Sequence, residues 1–272
     1  MTLVGRAIQA RRHFQARVVG DPKRIGLLLL IAISPSLTAT AQRGGGGGQT
    51  ARVAAPVDLT GYWVTVVTED WRYRMVTPAR GDHPSVPLNA AGNAAANSWD
   101  PAKDEAAGEQ CRAYGAAGVM RVPGRIHITW QDDATLKIDT EAGTQTRLLH
   151  FNSAPGVDSP QALQGQSAAT WEIAGARGRG GAAAAGPRGG NLKVVTTRMR
   201  PGYLQKNGVP YSTNAVLTEY FSRTVEPNGD SWLILTSIVE DPQYLTGPFI
   251  RSTHYKRLPD NTAWEPEPCS AR

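Results

Sequence analysis

The strongest constraint on the fold is a run of alternating side chains between residues 125 and 151. Residues 125–130 and 135–139 each alternate apolar with polar residues, and the dipeptide Asp132-Asp133 lies between them. Residues 144–151 continue the β pattern after an Ala-Gly turn. A period of two places every second side chain on one face of a strand. Because the connections are short, we expect three consecutive antiparallel strands.

The rest of the chain has the same β character. Alternating or β-branched runs predict further strands at residues 61–67, 71–75, 167–173, 191–199, 216–225, 232–239 and 249–257. An alanine-rich stretch at 88–99 and a shorter one at 102–108 predict one helical insertion. The expected fold class is therefore all-β with minor α, an antiparallel barrel or closed sandwich of about 8–10 strands.

The first 41 residues have the three parts of a secretory signal peptide. A basic segment precedes an apolar run at 25–33, and small residues favour cleavage between Ala41 and Gln42. The apolar run is shorter than the ~20 residues of a spanning helix, so we predict a periplasmic or secreted protein without a membrane span. The motif Arg11-Arg12-His13-Phe14 leaves the export route open, because it resembles the core of a twin-arginine signal.

The remaining chain divides into a tether and one domain. Residues 42–57 contain five consecutive glycines and predict a flexible tether, which leaves residues 58–272 as the domain. Within that domain, residues 174–190 are rich in glycine, alanine and arginine and predict a disordered loop.

Removing the leader changes what the charge implies. The whole chain has a formal net charge of +6, but residues 1–41 contain six of its Lys/Arg residues and one Asp. The mature chain is therefore close to neutral. Such a balance gives no electrostatic reason to expect a nucleic-acid partner.

The two cysteines, Cys111 and Cys269, both lie in the part of the chain that would be exported. In an oxidising compartment an even pair predicts a disulfide bond. It would tie the C-terminal tail to the segment before the three-stranded meander.

The predicted first strand begins with Asp58-Leu59-Thr60-Gly61-Tyr62-Trp63. Together with the export signal and the meander, the Gly61-x-Trp63 pair resembles the start of lipocalin and related calycin barrels. This resemblance implies a ligand cavity and an arginine near the last strand that packs over the tryptophan, for which Arg251 and Arg257 are candidates. The chain also resembles a family of secreted bacterial proteins that opens with Asp-Leu-Thr-Gly-x-Trp, and that resemblance implies no particular activity.

The best candidate ligand-binding residues are charged side chains on otherwise apolar strand faces. Glu219 and Arg223 share a face with Phe221, and Arg147 shares one with Leu149. If these faces point inward, the charges must pair with each other or hold a ligand. If the opposite faces point inward, the charges are simply solvated.

Residues 200–212 form a compact loop whose Tyr203 and Tyr211 could act as a lid over a cavity, or could simply pack a connection. No metal site is predicted, because the spacings typical of zinc ligands are missing. Haem ligation by His254 is the one cofactor option, and otherwise no cofactor is expected. No serine lies in a G-x-S-x-G motif.

These observations leave three hypotheses for function. The first is an exported protein that binds a small, partly apolar ligand in a barrel cavity without chemistry. The second is an enzyme on the same barrel that uses Arg147, Glu219 and Arg223 for acid–base chemistry. The third is a structural or protein-interaction module with a filled interior.

Overall fold

Nine strands close into a barrel in the computed structural model, which describes residues 49–152, 160–173 and 189–272. Around the barrel the strand order is β1-β11-β10-β9-β6-β5-β4-β3-β2. The barrel strands are β1 (Gly61–Val66), β2 (Arg125–Asp132), β3 (Thr135–Thr140), β4 (Gln145–Phe151), β5 (Gln166–Ile173), β6 (Gly190–Thr197), β9 (Val216–Val225), β10 (Ser231–Glu240) and β11 (Phe249–Arg257). The predicted all-β barrel and its meander β2-β3-β4 are confirmed.

One pair of neighbouring barrel strands, β4 and β5, is parallel, and the other neighbours are antiparallel. Nine strands cannot alternate in direction all the way around a closed ring, so one parallel pair is required. A parallel pair needs a long connection, and 14 residues separate the end of β4 from the start of β5. The mostly antiparallel order agrees with the expected fold class.

The barrel interior is filled with large side chains. In β3, Leu136 and Ile138 are buried, whereas Lys137 and Asp139 lie on the outer face. The largest apolar side chains of the interior that are less than 2% exposed are Trp63, Ile128, Leu136, Ile138, Leu149, Leu192, Phe221 and Tyr255. Burial of each such side chain stabilises the fold by about 1.5–3 kcal/mol.

Residues 67–124 connect β1 to β2 at what we call the helical end of the barrel. They form α1 (Trp71–Arg74), α2 (Ala90–Asn97), α3 (Pro101–Ala106) and α4 (Ala116–Val119), with a 3₁₀ helix at Arg112–Tyr114. Asn89 caps α2, because its side chain accepts a hydrogen bond from the Gly92 backbone N–H. Asp100 caps α3 in the same way by accepting from the Ala102 backbone N–H. Helices α2 and α3 account for the predicted helical insertion.

The predicted strand at residues 71–75 is wrong, because Trp71–Arg74 is one helical turn. Alternation over five residues is too short to distinguish a strand from a turn of helix. The side chains of this helical turn also differ in burial. Arg74 is buried because its Nε donates to the Arg121 carbonyl at 2.9 Å, whereas Trp71 is 67% exposed.

Two further strands, β7 (Gly202–Gln205) and β8 (Val209–Tyr211), form a separate hairpin at the helical end. Ser212 anchors this hairpin, since its backbone N–H and Oγ donate to the Asp241 carboxylate at 2.6 and 2.8 Å. The compact loop predicted at 200–212 is therefore an ordered hairpin.

The opposite end of the barrel, which we call the N-terminal end, is covered by residues 49–60. The Trp171 indole donates to the Ala51 carbonyl at 2.9 Å, and the Arg52 N–H donates to the Asp133 carbonyl at 3.1 Å. The predicted tether at 42–57 is thus too long, because its residues 49–57 pack against the barrel.

Cys111 and Cys269 form the predicted disulfide bond, which closes a loop with a sequence separation of 158. Of the helices in the described ranges, none combines the length and apolar character needed to span a bilayer. The predicted signal peptide, its cleavage site at Ala41 and Gln42, and residues 174–188 of the predicted loop lie outside the described residues. Gly190, the last residue of that predicted loop, begins β6.

Candidate functional site

Arg147 and Glu219 form a salt bridge across the barrel interior. Arg147 lies on β4 and Glu219 on β9, two strands that β5 and β6 separate in the barrel wall. Arg147 Nη1 donates to Glu219 Oε1 at 2.9 Å, and Nη2 donates to Oε2 at 2.5 Å. The two side chains are 0% and 1% exposed. Both faces therefore point inward, and the two charges satisfy each other.

This pairing decides what the two residues can do. A carboxylate that acts as a base must reach the proton it removes. Both Glu219 oxygens are occupied by Arg147, and neither side chain offers an exposed atom to a substrate. The pair is a buried salt bridge that connects opposite walls of the barrel.

Arg223, the third predicted charge, lies at the N-terminal end. Its Nη1 donates to the Asp58 carbonyl at 2.6 Å, and its Nε donates to Ser231 Oγ at 2.8 Å. Burial lowers the pKa of Arg223, and the neighbouring Arg257 guanidinium lowers it further. Four residues of strand, about 13 Å, separate it from Glu219, so the structure does not unite the three predicted charges.

Trp63 is enclosed at the same N-terminal end. It is fully buried, its indole N–H donates to the Leu59 carbonyl at 3.0 Å, and the guanidinium groups of Arg257 and Arg223 lie 5.7 and 5.8 Å from its ring centroid. These contacts hold the first strand against the last, which is a structural role.

Tyr203 is held in place by two charged residues of the helical insertion. Its hydroxyl donates to Asp104 Oδ2 at 2.8 Å, and the Arg112 guanidinium lies 4.3 Å from its ring centroid. Arg112 also donates to Asp104 Oδ1 at 3.2 Å. Burial raises the pKa of the Tyr203 phenol, and the hydrogen bond to Asp104 raises it further. The phenol is therefore a fixed neutral donor.

Tyr211 is fully buried near Arg112, and burial raises the pKa of its phenol. Within the described residues its hydroxyl has no hydrogen-bond partner. Two glycines make room for this oxygen, because a Cβ on Gly115 or Gly202 would come within 2.2 or 2.5 Å of it.

Together these residues line a groove that we call the aromatic cleft. It is formed by the helical insertion, the β7–β8 hairpin and the loop after β10, and its volume is about 300 Å³. Its aromatic and charged lining residues include Trp99, Asp104, Arg112, Tyr203, Tyr211 and Tyr244. This volume is at the lower end of the range for small-molecule sites.

Trp99 is fixed between α2 and α3, where the hairpin turn packs against it. Gly208 has a φ of +81°, and a Cβ there would lie 2.1 Å from the Trp99 ring. The buried Trp99 indole nitrogen has no hydrogen-bond partner among the described residues. Two residues that line the cleft, Trp99 and Tyr211, thus each have a buried polar atom without a hydrogen-bond partner in the part of the chain that the structure describes.

Sequence reasoning singled out Tyr203 and Tyr211, which line the cleft, but it did not single out Trp99, Asp104 and Arg112. Their positions depend on how the helical insertion docks onto a hairpin about a hundred residues away. The available local signal was the strong helix start at Asp100-Pro101, which fixes Trp99 just before a helix.

His254 lies on the outer face of β11, between the buried residues Thr253 and Tyr255. Its Nδ1 is 2.6 Å from Thr68 Oγ1, and its Nε2 is 3.2 Å from Ser252 Oγ. Across the described ranges, no group of three or more His, Cys, Asp or Glu residues is arranged to hold a metal ion.

Comparisons of the chain with protein-family models, with curated proteins and with solved structures give no significant match.

Proposed function

We propose that this is an exported protein that binds a small, partly apolar ligand in the aromatic cleft. One observation carries the proposal: an aromatic groove of ligand size is lined by Trp99 and Tyr211, whose buried polar groups have no partner among the described residues. Leaving such a group unpaired costs about 1–3 kcal/mol. A ligand with an aromatic ring and a carbonyl oxygen would stack in the cleft and accept a hydrogen bond from either group.

The proposal moves the ligand from the barrel interior to the helical end. Arg147 and Glu219 are buried against each other, whereas Tyr203 and Tyr211 line the cleft. The barrel then acts as a rigid support, and the third hypothesis of a filled interior applies to the barrel itself. Rigid scaffolds that carry binding groups on connecting segments are common.

We propose a likeness to lipocalins for the barrel scaffold alone. The contact of Arg257 with Trp63 supports it. Up-and-down lipocalin barrels have eight antiparallel strands, however, and this barrel has nine with one parallel pair. The ligand site therefore cannot be taken over from that family.

Acetophenone is a suitable probe, because it combines one aromatic ring with one acceptor oxygen. We expect it to bind with a dissociation constant on the order of 1 mM, as suits so small a molecule. In a ¹H–¹⁵N spectrum of the indole groups, the Trp99 signal should shift saturably. The Trp71 signal, from an exposed ring outside the cleft, should stay in place.

Substitution tests the contribution of the indole nitrogen. Trp99→Phe identifies the Trp99 signal and keeps an aromatic ring, but it removes the donor. It should weaken acetophenone binding about fivefold, the effect of one hydrogen bond of about 1 kcal/mol. Trp71→Phe is the matched control and should leave binding unchanged. An unmoved Trp99 signal, or equal effects of the two substitutions, would contradict the proposal.

Export is proposed from the leader and is supported by the disulfide bond. The intact mass of the protein recovered from the periplasm or culture medium should correspond to a chain that begins at Gln42. Recovery of a chain that retains residues 1–41 in the cytoplasm would contradict this part of the proposal.

A further inference from the structure

A second, smaller cavity lies on the other side of the β7–β8 hairpin. We call it the cationic cavity, and its polar lining consists of Arg74, Arg121, Gln205, Tyr73 and Lys206. Its volume of about 20 Å³ suffices for a water molecule, so no more than the end group of a ligand could occupy it. Tyr73 and Lys206 are only half-buried, so the cavity can be reached from the protein surface.

The charges around the cavity are unevenly matched. Arg74 pairs with Glu69, Arg121 Nη2 donates to Asp70 at 3.1 Å, and Arg251 Nε lies 2.8 Å from the same Asp70 oxygen. Three guanidinium groups therefore share two carboxylates. Burial lowers the pKa of Arg121 to about 10, against the opposing effect of Asp70. Arg121 is still charged at neutral pH, and this corner of the molecule has an excess of positive charge.

Four buried polar atoms, on three of the residues that line the cavity, have no hydrogen-bond partner in the part of the chain that the structure describes. They are Arg74 Nη2, Arg121 Nη1, and both Nε2 and Oε1 of Gln205. The three side chains are 6%, 6% and 5% exposed. Reversing the Gln205 amide exchanges its two end atoms, but both are unpaired, so the inventory stays at three donors and one acceptor.

The three unpaired donors and the one unpaired acceptor indicate which functional groups a ligand would need. Two guanidinium N–H groups and an amide N–H match the acceptor-only oxygens of a carboxylate. The remaining Gln205 oxygen needs a donor close to that carboxylate. A hydroxyl on the α carbon supplies it without adding charge, whereas an α-ammonium group would bring a second positive charge into an already cationic site.

We propose that the cationic cavity binds the carboxylate end of a 2-hydroxy acid. Arg74 and Arg121 hold the carboxylate, and Gln205 bridges the carboxylate and the hydroxyl. The proposal is independent of the aromatic cleft, because no residue that lines the cationic cavity, Arg74, Arg121 and Gln205 included, also lines the cleft.

Three small carboxylates of similar size test this proposal: sodium L-lactate, sodium propionate and zwitterionic L-alanine. The Gln205 side-chain amide signals, identified with the Gln205→Met variant, should shift saturably with lactate. Propionate lacks the hydroxyl and should bind about fivefold more weakly, the effect of one hydrogen bond. Alanine should bind more weakly than lactate because of its ammonium group.

Variants separate this site from a general attraction of anions. Arg121→Met should abolish lactate binding, and its thermal unfolding profile checks that it is folded. Arg72→Met is the matched control, because Arg72 lies on the same helical turn but is exposed and pairs with Asp82; it should bind lactate normally. Gln205→Met should bind lactate and propionate equally.

Three outcomes would overturn the proposal. The first is the absence of a saturable lactate shift, in which case the cavity holds only water. The second is equal binding of lactate and propionate to the unaltered protein. The third is a lactate preference that survives in Gln205→Met.

Discussion

Glu219→Leu should lower the free energy of unfolding by about 3–5 kcal/mol, because it leaves the Arg147 guanidinium buried and unpaired. Urea unfolding followed by tryptophan fluorescence measures the effect. Arg147→Met should cost less, since the Glu219 carboxyl left behind can become neutral by binding a proton, whereas a guanidinium cannot lose one.

The double variant Arg147→Met with Glu219→Leu separates charge burial from packing. Hydrophobic replacement of both members of a buried pair is often neutral or stabilising, so we expect the double variant to be more stable than either single variant. Arg200→Ala is the matched control, because Arg200 also makes a two-bonded contact with Glu109 but both side chains are at least 40% exposed. It should cost no more than about 1 kcal/mol. If the two single variants lose as little free energy of unfolding as this control, the stabilising role of the buried Arg147–Glu219 salt bridge is contradicted.

Removing the Cys111–Cys269 disulfide bond should have an effect of similar size. For the 158-residue separation, the chain-entropy model gives a loss of stability of about 5 kcal/mol in the variant with alanine at both positions. Urea unfolding with and without a reducing agent measures it. The reducing agent should destabilise the natural protein and leave the double-alanine variant unchanged, and the reverse pattern would contradict this account.

The disulfide also connects stability to the proposed binding site. Cys111 directly precedes Arg112, which contacts both Asp104 and Tyr203 in the aromatic cleft. The C-terminal tail is held further by backbone contacts, since the Glu267 N–H donates to the Glu141 carbonyl at 3.0 Å. Loss of the disulfide should therefore weaken acetophenone binding more than Glu219→Leu, which has a similar expected cost in stability but lies outside the aromatic cleft.

The elements that could be predicted from the sequence are those with local causes. The meander β2-β3-β4 follows from alternation and short turns, and the disulfide bond follows from the even cysteine count and the predicted export. The strand predicted at 71–75 failed because five residues carry too little periodicity to exclude a helical turn. The parallel pairing of β4 with β5 depends on the closure of an odd-numbered barrel, which no single strand encodes.

The candidate site was predicted only in part, for a similar reason. Alternation placed Glu219 and Phe221 on one face, but it could not decide whether that face pointed inward. Pairing of Glu219 with Arg147 required the order of strands around the barrel. The aromatic cleft depends on the docking of α2 and α3 against the β7–β8 hairpin, so Trp99 and Arg112 had no sequence signal that connected them to Tyr203.

A crystal structure of the mature protein grown with acetophenone tests the central claim most directly. We predict acetophenone in the aromatic cleft, with its ring among Trp99, Tyr203 and Tyr244 and its oxygen within hydrogen-bond distance of Trp99 Nε1 or the Tyr211 hydroxyl. The Arg147–Glu219 pair should remain closed in the same crystal. Acetophenone inside the barrel beside a separated Arg147 and Glu219, with the aromatic cleft empty, would contradict the account.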